Sequence, residues 1–410
     1  MFTVAEIIGL LPDARIEGKT DRGFTALSTD SRQIKPGELF IPLKGENFNG
    51  AKFIPEVLKR GGAALFVKDG LKALQVLAAA HRNKFNIPFI GVTGSSGKTT
   101  TKDMLASIIS REMDILKNEG NLNNEIGVPL TLLKLTKKHR AAVIEMGMRG
   151  LGEIRELAAI VRPKIAIVTN IGESHLARLK TKRNIAKAKA EIFDFLRRTD
   201  YAVINQDDEY FERLKERAKA SGAKVVTFGL LEKADIGTKE LSGIELPVPG
   251  EHNIYNALAA IAAARILKVK RSSIAKGLST VPLSSRRMHV FNFPDRTKII
   301  DDTYNANPQS MAAALKTIGG MSGRKIAVLG SMLELGSRSA AAHRQTIALA
   351  RKQKINHIFT YGSFWPRSIN HYSDKSRLIK MLKKLIQPRD IILIKGSRGM
   401  KMEEVVEALN

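Results

Sequence analysis

The stretch that most constrains the fold of this chain runs from Pro88 to Thr101. It opens with a short apolar run, Phe89–Val92, which predicts a buried strand, and a turn rich in Gly, Ser and Thr follows. After the turn, apolar residues recur at helical spacing, at Met104, Leu105, Ile108 and Ile109. A glycine turn between a strand and a helix directs backbone N–H groups and the helix dipole toward an anion. The stretch therefore predicts a phosphate-binding site for a nucleotide.

The loop departs from the common phosphate-binding pattern G-x-x-x-x-G-K-[ST], because Val92 stands where the first glycine belongs. Gly94 and Gly97 still permit close approach of a ligand to the backbone. Lys98 offers a positive charge to the β- and γ-phosphates, and Thr99 offers a hydroxyl to Mg²⁺. The alternative is a plain turn with a chance Gly-Lys-Thr, and the strand and helix on either side argue against it.

Length and composition limit the class of protein. A chain of 410 residues suggests roughly two to four domains. It contains no long apolar run and no basic, apolar leader at its start, so we expect neither a transmembrane helix nor a signal peptide. The absence of cysteine excludes disulfides, thiolate catalysis and Cys-ligated metal centres. By default we expect a cytoplasmic protein, and we expect a monomer.

The chain is strongly basic, with 67 Lys and Arg against 40 Asp and Glu, a net charge of +27. Such a charge favours polyanions: nucleic acid, an acidic membrane surface, or small substrates rich in phosphates and carboxylates. The densest basic runs, 180–183 and 383–384, do not alternate with aromatic residues, which make up only 6% of the chain. We therefore expect a solvated basic surface, with no nucleic-acid groove and no stable membrane insertion.

The order of predicted elements indicates an α/β chain of three domains. Residues 1–86 form a small α/β domain, residues 87–284 a central P-loop domain with a parallel sheet, and residues 285–410 a Rossmann-like domain. The predicted strands of the first domain cover 24–29, 38–43 and 63–67, with a helix at 54–60 and a polar loop at 45–50. Those of the second cover 89–93, 114–117, 141–145, 164–169, 201–205 and 224–228. Those of the third cover 297–301, 325–329, 357–361 and 390–394.

Polar side chains that can bind a metal ion or transfer a proton follow several predicted strands of the central domain. Ligands of parallel sheets gather at the carboxyl ends of the strands. Glu145 ends one strand and is a natural Mg²⁺ ligand, because Mg²⁺ takes few protein carboxylates and borrows phosphate oxygens. Its alternative role, a solvated strand-end glutamate, is disfavoured by the apolar residues after it. Asn170 and then His175 follow another strand; His175 is a candidate for metal or proton chemistry, although a lone histidine usually does neither.

Lys189 lies in a predicted helix, 185–196, on or beside an apolar stripe. A lysine among apolar neighbours has a lowered pKa and becomes a neutral amine, which can act as a base or react with CO₂ to form a carbamate. The alternative is that Lys189 extends its ammonium group to solvent, and the pattern alone favours that alternative. A second helix is predicted from Asn253, as N-cap, to about Ile266.

The third domain adds an arginine and two acids. Asp301 and Asp302 end a predicted strand and precede the polar loop 303–308, while Arg286 and Arg287 lie shortly before that strand. An arginine near phosphates can stabilise the charge of a phosphoryl group in transfer.

With these residues in place, the chain resembles the Mur ligases, ATP-dependent enzymes that form amide bonds in peptidoglycan assembly. The resemblance covers nearly the whole chain and includes the family's own form of the phosphate loop, which accounts for Val92. The matching segments are 29–32, 36–41, 91–100, 118–129, 301–308 and 395–398. Segments 29–32 and 36–41 resemble the family's UDP-substrate domain, and 118–129, 301–308 and 395–398 are similar to segments typical of the member that adds D-alanyl-D-alanine. The Asp-Asn-Pro-Arg segment of the sister enzyme that adds diaminopimelate or lysine is absent.

The resemblance implies a role for each candidate residue, with ATP and Mg²⁺ as cofactors. The implied ATP-binding residues are Thr93, Gly94, Ser95, Ser96, Gly97, Lys98, Thr99, Asn253, Asn256, Arg287 and Asp302. The implied catalytic residues are Lys98, Glu145, His175, Lys189 and Arg287. The implied metal ligands are Thr99, Glu145, His175 and Lys189, the last as a carbamate. The implied substrate contacts are Ser31, Arg32 and Lys44 for a UDP group, and Asn305 and Asn307 for the acceptor.

The reaction implied by the resemblance joins D-alanyl-D-alanine to the tripeptide carboxylate of UDP-N-acetylmuramoyl-tripeptide through an acyl phosphate. Two departures, the basic segment 176–180 and Ser331 in place of an aspartate, affect loop and acceptor contacts rather than the reaction. A related ligase of the folate polyglutamate or cyanophycin type is one alternative, and the N-terminal segments argue against it. A basic P-loop NTPase that binds nucleic acid is another, suggested by charge alone.

Overall fold

The computed structural model describes residues 1–19, 23–231, 233–282, 286–366 and 370–410. Its strands form one sheet in the N-terminal part, one in the central part and one in the C-terminal part, together with a small hairpin. The predicted α/β architecture is therefore confirmed. The predicted boundary between residues 284 and 285 lies outside the described residues. Within the described ranges, no helix combines the length and the apolar character that crossing a membrane requires.

The N-terminal unit is a small mixed sheet with helices around it. Its described elements are α1 (Val4–Leu10), β1 (Arg15–Gly18), β2 (Ala26–Ser28), β3 (Glu38–Phe40), β4 (Lys44–Gly45), β5 (Phe48–Asn49), α2 (Ile54–Lys59), β6 (Ala63–Phe66) and α3 (Gly70–Asn83). The sheet has the order β1-β6-β3-β2, with β1 antiparallel to β6 and the other pairs parallel. The segment 45–50, predicted as a loop, contributes to the hairpin β4–β5, and β1 was not predicted because its residues are mostly exposed and not alternately apolar.

The central unit is a parallel sheet covered by helices. Its described elements are β7 (Phe89–Thr93), α4 (Lys98–Ile109), β8 (Ile115–Lys117), α5 (Gly127–Leu132), β9 (Ala141–Glu145), α6 (Glu153–Val161), β10 (Ile165–Val168), α7 (Leu176–Leu179), α8 (Lys182–Ala190), β11 (Tyr201–Asn205), α9 (Phe211–Ala220), β12 (Lys224–Phe228), α10 (Glu251–Ile266) and α11 (Arg271–Ser279). The order is β12-β11-β10-β7-β9-β8, and every pair is parallel. Strands buried on both faces are continuous apolar runs, which is why their predicted bounds agree within one residue.

Two predictions about helices in this unit are wrong in detail. α10 begins at Glu251 with Gly250 as its N-cap, so Asn253 lies inside the first turn. Asn253 instead donates from Nδ2 to the Pro249 carbonyl at 2.8 Å. The helix predicted over 185–196 starts earlier, at Lys182, and its last part is a 3-10 turn at Glu191–Phe193.

The C-terminal unit has a second, mostly parallel sheet. Its described elements are β13 (His289–Asn292), β14 (Lys298–Asp302), α12 (Pro308–Gly319), β15 (Lys325–Gly330), α13 (Ser339–Lys352), β16 (His357–Tyr361), β17 (Asn370–Tyr372), α14 (Lys375–Leu385), β18 (Ile391–Lys395) and α15 (Glu403–Leu409). The order is β13-β14-β18-β15-β16-β17, with β13 antiparallel to β14. The edge strands β13 and β17 were not predicted, because neither contains a buried apolar run.

The N-terminal and central units share one hydrophobic core, which extends from Phe2 and Leu77 to Phe89 and Leu157. Arg82 of α3 adds a polar contact, since its Nε donates to the Val161 carbonyl at 2.8 Å. The C-terminal unit has cores of its own. Its contacts with the central unit include two polar ones beside the main cleft, Arg287 with Thr99 and Arg338 with Glu173.

Candidate active site

A cleft of about 1200 Å³ lies between the central and C-terminal units. The carboxyl ends of β7, β9, β10 and β11 face it from one side, and the end of β14 with the start of α12 faces it from the other. The residues predicted to bind ATP, metal or acceptor line this cleft, with Thr93 and Gly94 as exceptions at the buried end of β7. Ser31, Arg32 and Lys44, predicted to contact a UDP group, are not part of its lining.

The phosphate loop depends on its two glycines. Gly97, the N-cap of α4, has a φ of +78°, and Gly94 has a φ of +153°. A Cβ atom at Gly94 would overlap the Thr169 hydroxyl, and one at Gly97 would overlap the Asn256 amide. Side chains are thus excluded by both backbone conformation and space, which leaves the start of α4 open to an anion.

Asn170, at the end of the strand beside the loop, holds the loop in shape. Its Oδ1 accepts from the Ser96 backbone N–H at 3.0 Å, and its Nδ2 donates to the Ser96 carbonyl at 3.1 Å. The Ser95 hydroxyl donates to the Gly172 carbonyl at 3.1 Å. The side chains of Asn170 and Ser95 therefore fix the conformation of the loop. In the sequence, only their position after a predicted strand indicated such a role.

Lys98 folds back over the loop, and its Nζ donates to the Gly94 carbonyl at 2.9 Å. Burial lowers the pKa of Lys98; the Glu145 carboxylate acts in the opposite direction, and the Arg287 guanidinium lowers it further. A phosphate group bound beside Lys98 would favour the charged form of the lysine, which is the form that binds phosphate.

Thr99, Glu145 and Arg287 form a connected set across the cleft. The Thr99 hydroxyl donates to Glu145 Oε2 at 2.7 Å and accepts from Arg287 Nη2 at 2.9 Å. Arg287 belongs to the C-terminal unit and lies over the Tyr304 ring, with 3.9 Å from its guanidinium carbon to the ring centroid. Its Nε is buried and has no hydrogen-bond partner among the described residues. Within the described ranges, the arginine thus keeps an unused donor beside the phosphate loop.

The Thr99–Glu145 pair fits Mg²⁺. Mg²⁺ prefers oxygen ligands, takes one or two from carboxylates and completes its shell with water and phosphate oxygens. The described residues contain no group of three or more His, Cys, Asp or Glu side chains arranged to hold a metal ion. The residues present therefore suit a cation shared with a nucleotide rather than an all-protein metal site.

His175 lines the same cleft but contacts the other unit. Its Nδ1 lies 2.9 Å from Glu334 Oε2, and this contact is the main reason for the lowered pKa of Glu334. Both residues have a left-handed backbone, with φ of 58° and 65°. A second ion pair, Arg338 Nη1 to Glu173 Oε1 at 2.6 Å, joins the same two loops. Glu334 was missed, although the sequence placed it in a glycine-bounded segment, 330–336.

Lys189 is buried, with 2% of its surface exposed, so the expectation that it reaches solvent is wrong. Burial, reinforced by the charge of Lys98, lowers the pKa of Lys189 well below its usual value. Its ammonium group has no hydrogen bond or ion pair within the described ranges of the chain. The side chain therefore has the character of a neutral amine.

Asn253, Asn256 and Asp302 occupy the predicted nucleotide side of the cleft. Asn256 Nδ2 donates to Asn253 Oδ1 at 3.1 Å, which ties the two amides together on α10. Asp302 Oδ2 accepts from Lys395 Nζ at 2.5 Å, and Lys395 also donates to the Asn305 carbonyl at 3.0 Å. Lys395 was not predicted individually, although the segment 395–398 contributed to the resemblance.

The two predicted acceptor residues lie on the wall of the C-terminal unit. Asn307 is the N-cap of α12: its Oδ1 accepts from the Ser310 N–H at 2.8 Å, and the Ser310 hydroxyl accepts from the Asn307 N–H at 3.1 Å. Asn305 Oδ1 accepts from the Ala306 N–H at 2.9 Å. Asn307 therefore caps α12 in addition to lining the cleft.

The predicted UDP contacts lie on the N-terminal unit. Arg32 forms two hydrogen bonds with Asp30, Nε to Oδ1 at 2.9 Å and Nη2 to Oδ2 at 2.8 Å. This pairing lowers the pKa of Asp30 to about 2. Ser31 is buried beside the pair, and Lys44 is exposed on β4.

Comparison with known proteins gives three family-model matches along the chain. Residues 24–112 match the model of the Mur ligase family, catalytic domain, residues 92–264 the Mur ligase middle domain, and residues 286–398 the Mur ligase, glutamate ligase domain. The chain is 35% identical to the UDP-N-acetylmuramoyl-tripeptide–D-alanyl-D-alanine ligase of Bacillus subtilis (strain 168), over 99% of this chain and 97% of that one. The chain belongs to the Mur ligase family.

Relatives and solved structures agree with this membership. The ligase of the same description from Escherichia coli (strain K12) is also 35% identical, over 99% of this Mur ligase and 98% of the relative. A crystal structure of MurF from Acinetobacter baumannii superposes with a TM-score of 0.92 at 32% identity, covering 100% and 98% of the two chains. MurF from Thermotoga maritima, solved in complex with ADP, gives 0.83 at 25% identity, covering 93% and 96%.

This Mur ligase is an ATP-dependent enzyme that forms amide bonds, as its motifs implied. Folylpolyglutamate synthase of Mycobacterium tuberculosis, solved with ADP and AMPPCP, shares its fold, with a TM-score of 0.64 at 16% identity. At this low identity, the similarity supports a shared fold but does not support the folate-type activity.

Proposed function

We propose that this Mur ligase joins D-alanyl-D-alanine to the tripeptide carboxylate of UDP-N-acetylmuramoyl-tripeptide, with cleavage of ATP and with Mg²⁺ as cofactor. The observation that carries the proposal is its similarity, along nearly the full length, to ligases named for this reaction. The contact set of Thr99, Glu145 and Arg287 beside the phosphate loop supports it, because phosphoryl transfer requires cations and oxygen ligands around the nucleotide.

The mechanism begins with activation of the tripeptide carboxylate. A carboxylate is a poor electrophile, so the γ-phosphoryl group of ATP is transferred to it and an acyl phosphate forms. The phosphate loop holds the nucleotide through backbone N–H groups, and Lys98 and Arg287 neutralise the charge that accumulates in transfer. When bound, Mg²⁺ would be held by Thr99 and Glu145 and would add positive charge at the phosphates.

The second step forms the amide bond. The amine of D-alanyl-D-alanine attacks the acyl carbon, and the tetrahedral intermediate collapses with release of phosphate. An acyl phosphate is readily hydrolysed, so water must be kept from it. The C-terminal unit covers the cleft through Arg287, and through the pairs His175–Glu334 and Arg338–Glu173 on the adjoining loops. These contacts close the cleft around the reacting groups.

We also propose that Lys189 is carbamylated. A neutral amine adds to CO₂ and loses a proton, which gives a carbamate with a carboxylate-like charge. The lowered pKa of Lys189 favours the neutral amine, and the nearby charge of Lys98, which opposes an ammonium group, would stabilise the carbamate. In that form Lys189 would supply an anionic oxygen ligand for a second Mg²⁺, with His175 on the same cleft wall.

The remaining assignments follow the three-domain division at residues 1–86, 87–284 and 285–410. We propose that Ser31, Arg32 and Lys44 bind the UDP end of the first substrate. Asn253, Asn256 and Asp302 bind the nucleoside of ATP, and Asn305 and Asn307 bind the dipeptide. We further propose a cytoplasmic monomer, without nucleic acid as partner, whose product supports cell-wall growth, cell shape and cell division.

The test is phosphate release from ATP with purified enzyme. We expect release with UDP-N-acetylmuramoyl-tripeptide and D-alanyl-D-alanine together, loss of release when either is omitted, and the UDP-pentapeptide by mass spectrometry. Turnover with folate and glutamate, and none with the UDP substrate, would overturn the proposal in favour of the folate-type ligase. Hydrolysis stimulated by duplex DNA, with tight and salt-sensitive binding, would favour the nucleic-acid-dependent NTPase.

A further inference from the structure

The carboxylate of Glu145 is held at both oxygens. Oε2 accepts from the Thr99 hydroxyl at 2.7 Å, and Oε1 accepts from Asn123 Nδ2 at 2.8 Å. Glu145 is 2% exposed, so few orientations are open to its side chain. Thr99 belongs to the phosphate loop helix, whereas Asn123 belongs to the loop between β8 and α5. The latter hydrogen bond has no part in the functions assigned above.

The backbone of Glu145 is fixed by a second asparagine from the same loop. The ladder between β8 and β9 ends at the pair Lys117–Val143. Beyond it, Asn118 Oδ1 accepts from the Glu145 N–H at 2.8 Å, and Asn118 Nδ2 donates to the Glu145 carbonyl at 2.9 Å. The side-chain amide thus replaces the next backbone unit of β8, because it offers one donor and one acceptor to the same residue.

Further hydrogen bonds fix the position of the loop that carries Asn123. Asn118 Nδ2 also donates to the Leu122 carbonyl at 2.8 Å, and the buried Lys102 donates from Nζ to the Asn118 carbonyl at 3.0 Å. The Asn123 carbonyl accepts from the Gly147 N–H at 2.7 Å, two residues beyond Glu145. The side-chain amide of Asn123 therefore has a defined position relative to both the backbone and the carboxylate of Glu145.

We propose that Asn123 is a positioning residue for Glu145, with Asn118 as its support; this inference rests on the proposed Mg²⁺-dependent function. By holding Oε1, the Asn123 amide leaves Oε2 directed at the Thr99 hydroxyl, where the two oxygens can share one cation. Hydrogen bonds to a ligating carboxylate orient it, and their loss typically weakens metal affinity by about 10- to 100-fold.

The test compares Asn123→Ala and the nearly isosteric Asn123→Leu with the wild-type enzyme. The matched control is Glu119→Ala, which changes an exposed residue of the same loop that is not part of the cleft lining and pairs with Lys134 on the surface. Two quantities are measured: the Mg²⁺ concentration for half-maximal phosphate release, and Mn²⁺ binding by electron paramagnetic resonance with a non-hydrolysable ATP analogue bound.

We expect both Asn123 variants to need about tenfold more Mg²⁺ and to bind Mn²⁺ about tenfold more weakly, with unchanged affinity for the analogue without metal. The Glu119 variant should match wild type in both. Metal affinities within twofold of wild type in a folded Asn123→Leu enzyme would overturn the proposal. If the wild-type enzyme fails to release phosphate with its substrates, the proposed function fails, while the Mn²⁺ titration still decides the role of Asn123.

Discussion

The central cleft and the N-terminal Thr29–Arg32 turn differ in how their charged groups are partnered. In the cleft, Thr99 of α4 bonds to Glu145 at the end of β9 and to Arg287 of the C-terminal unit. In the turn, Arg32 bonds to Asp30, two residues away, and stays exposed. A site assembled from distant segments fixes its reactive groups in position, whereas a local turn offers a surface for binding. Substitutions in the cleft should therefore lower kcat, and substitutions in the turn should change KM.

Lys98→Ala tests the cleft at its most sensitive point. Loss of the ammonium group removes charge neutralisation from the phosphoryl transfer, so we expect kcat to fall by about 10³-fold. The measurement is phosphate release at saturating substrates, with thermal unfolding as the control for folding. A decrease of less than tenfold in a folded variant would show that the loop backbone alone provides the stabilisation.

Lys189→Ala should lower kcat by about 100-fold if the carbamate supplies a metal-binding carboxylate. Formate or acetate should restore part of the activity, because a small carboxylate can occupy the space vacated by the carbamate. Lys187→Ala is the matched control, since Lys187 lies on the exposed face of the same helix and should retain full activity. Full activity of the Lys189 variant would exclude a role as metal ligand.

Glu334→Ala removes the contact between the C-terminal unit and His175. We expect an increase of about tenfold in the Mg²⁺ concentration for half-maximal activity, because an unsupported His175 loses its orientation. Glu173→Ala serves for comparison: it breaks the neighbouring interdomain pair with Arg338 and leaves His175 in place. Equal effects of the two variants would mean that closure, rather than histidine orientation, is what Glu334 provides.

Arg32→Ala should have the smallest effect, an increase of about threefold in KM for the UDP substrate at unchanged kcat, as for loss of one exposed charged contact. A comparable decrease in kcat would contradict the contrast between the turn and the cleft. The same variant should raise the pKa of Asp30 from about 2 toward the usual value near 3.9, which a titration by nuclear magnetic resonance can follow.

The sign of the related pH effect is fixed by the direction of this shift. The pKa of Asp30 is lower in the folded chain than in the unfolded chain, so the pair with Arg32 stabilises the fold above pH 4. That stabilisation is lost as the pH falls from about 4 to about 2, where the folded carboxylate is protonated. The exposed position of the pair makes this contribution small, and Arg32→Ala should remove it from the acid unfolding curve.

The strands of the central sheet could be predicted because burial on both faces makes them continuous apolar runs. The edge strands β13 and β17 lack that signal, and the pattern gave no strand there. The sequence showed the apolar residues near Lys189 but not how deeply Lys189 is buried. The apolar stripe of one helix does not reveal which other elements pack against the residues at its edge. The contact of Arg287 with Thr99 joins residues 188 positions apart, and no local pattern contains such a distance.

The short polar residues around Glu145 were hidden for a different reason. Asn118 and Asn123 read as loop residues, since asparagine is common in turns. Their roles depend on which backbone and carboxylate atoms lie opposite them, and this follows only from the parallel pairing of β8 with β9. The resemblance marked the segment as characteristic, without indicating what its asparagines hold.

The position of Arg287 has a consequence for nucleotide turnover in the resting enzyme. Because this guanidinium reaches Thr99 from the C-terminal unit, a chain with that unit swung away would hold its nucleotide with one cation fewer. We expect such an open chain to bind ATP and yet hydrolyse it slowly. Dividing the catalytic charges between two units would thus protect the cell's ATP during intervals when the partner peptides are scarce.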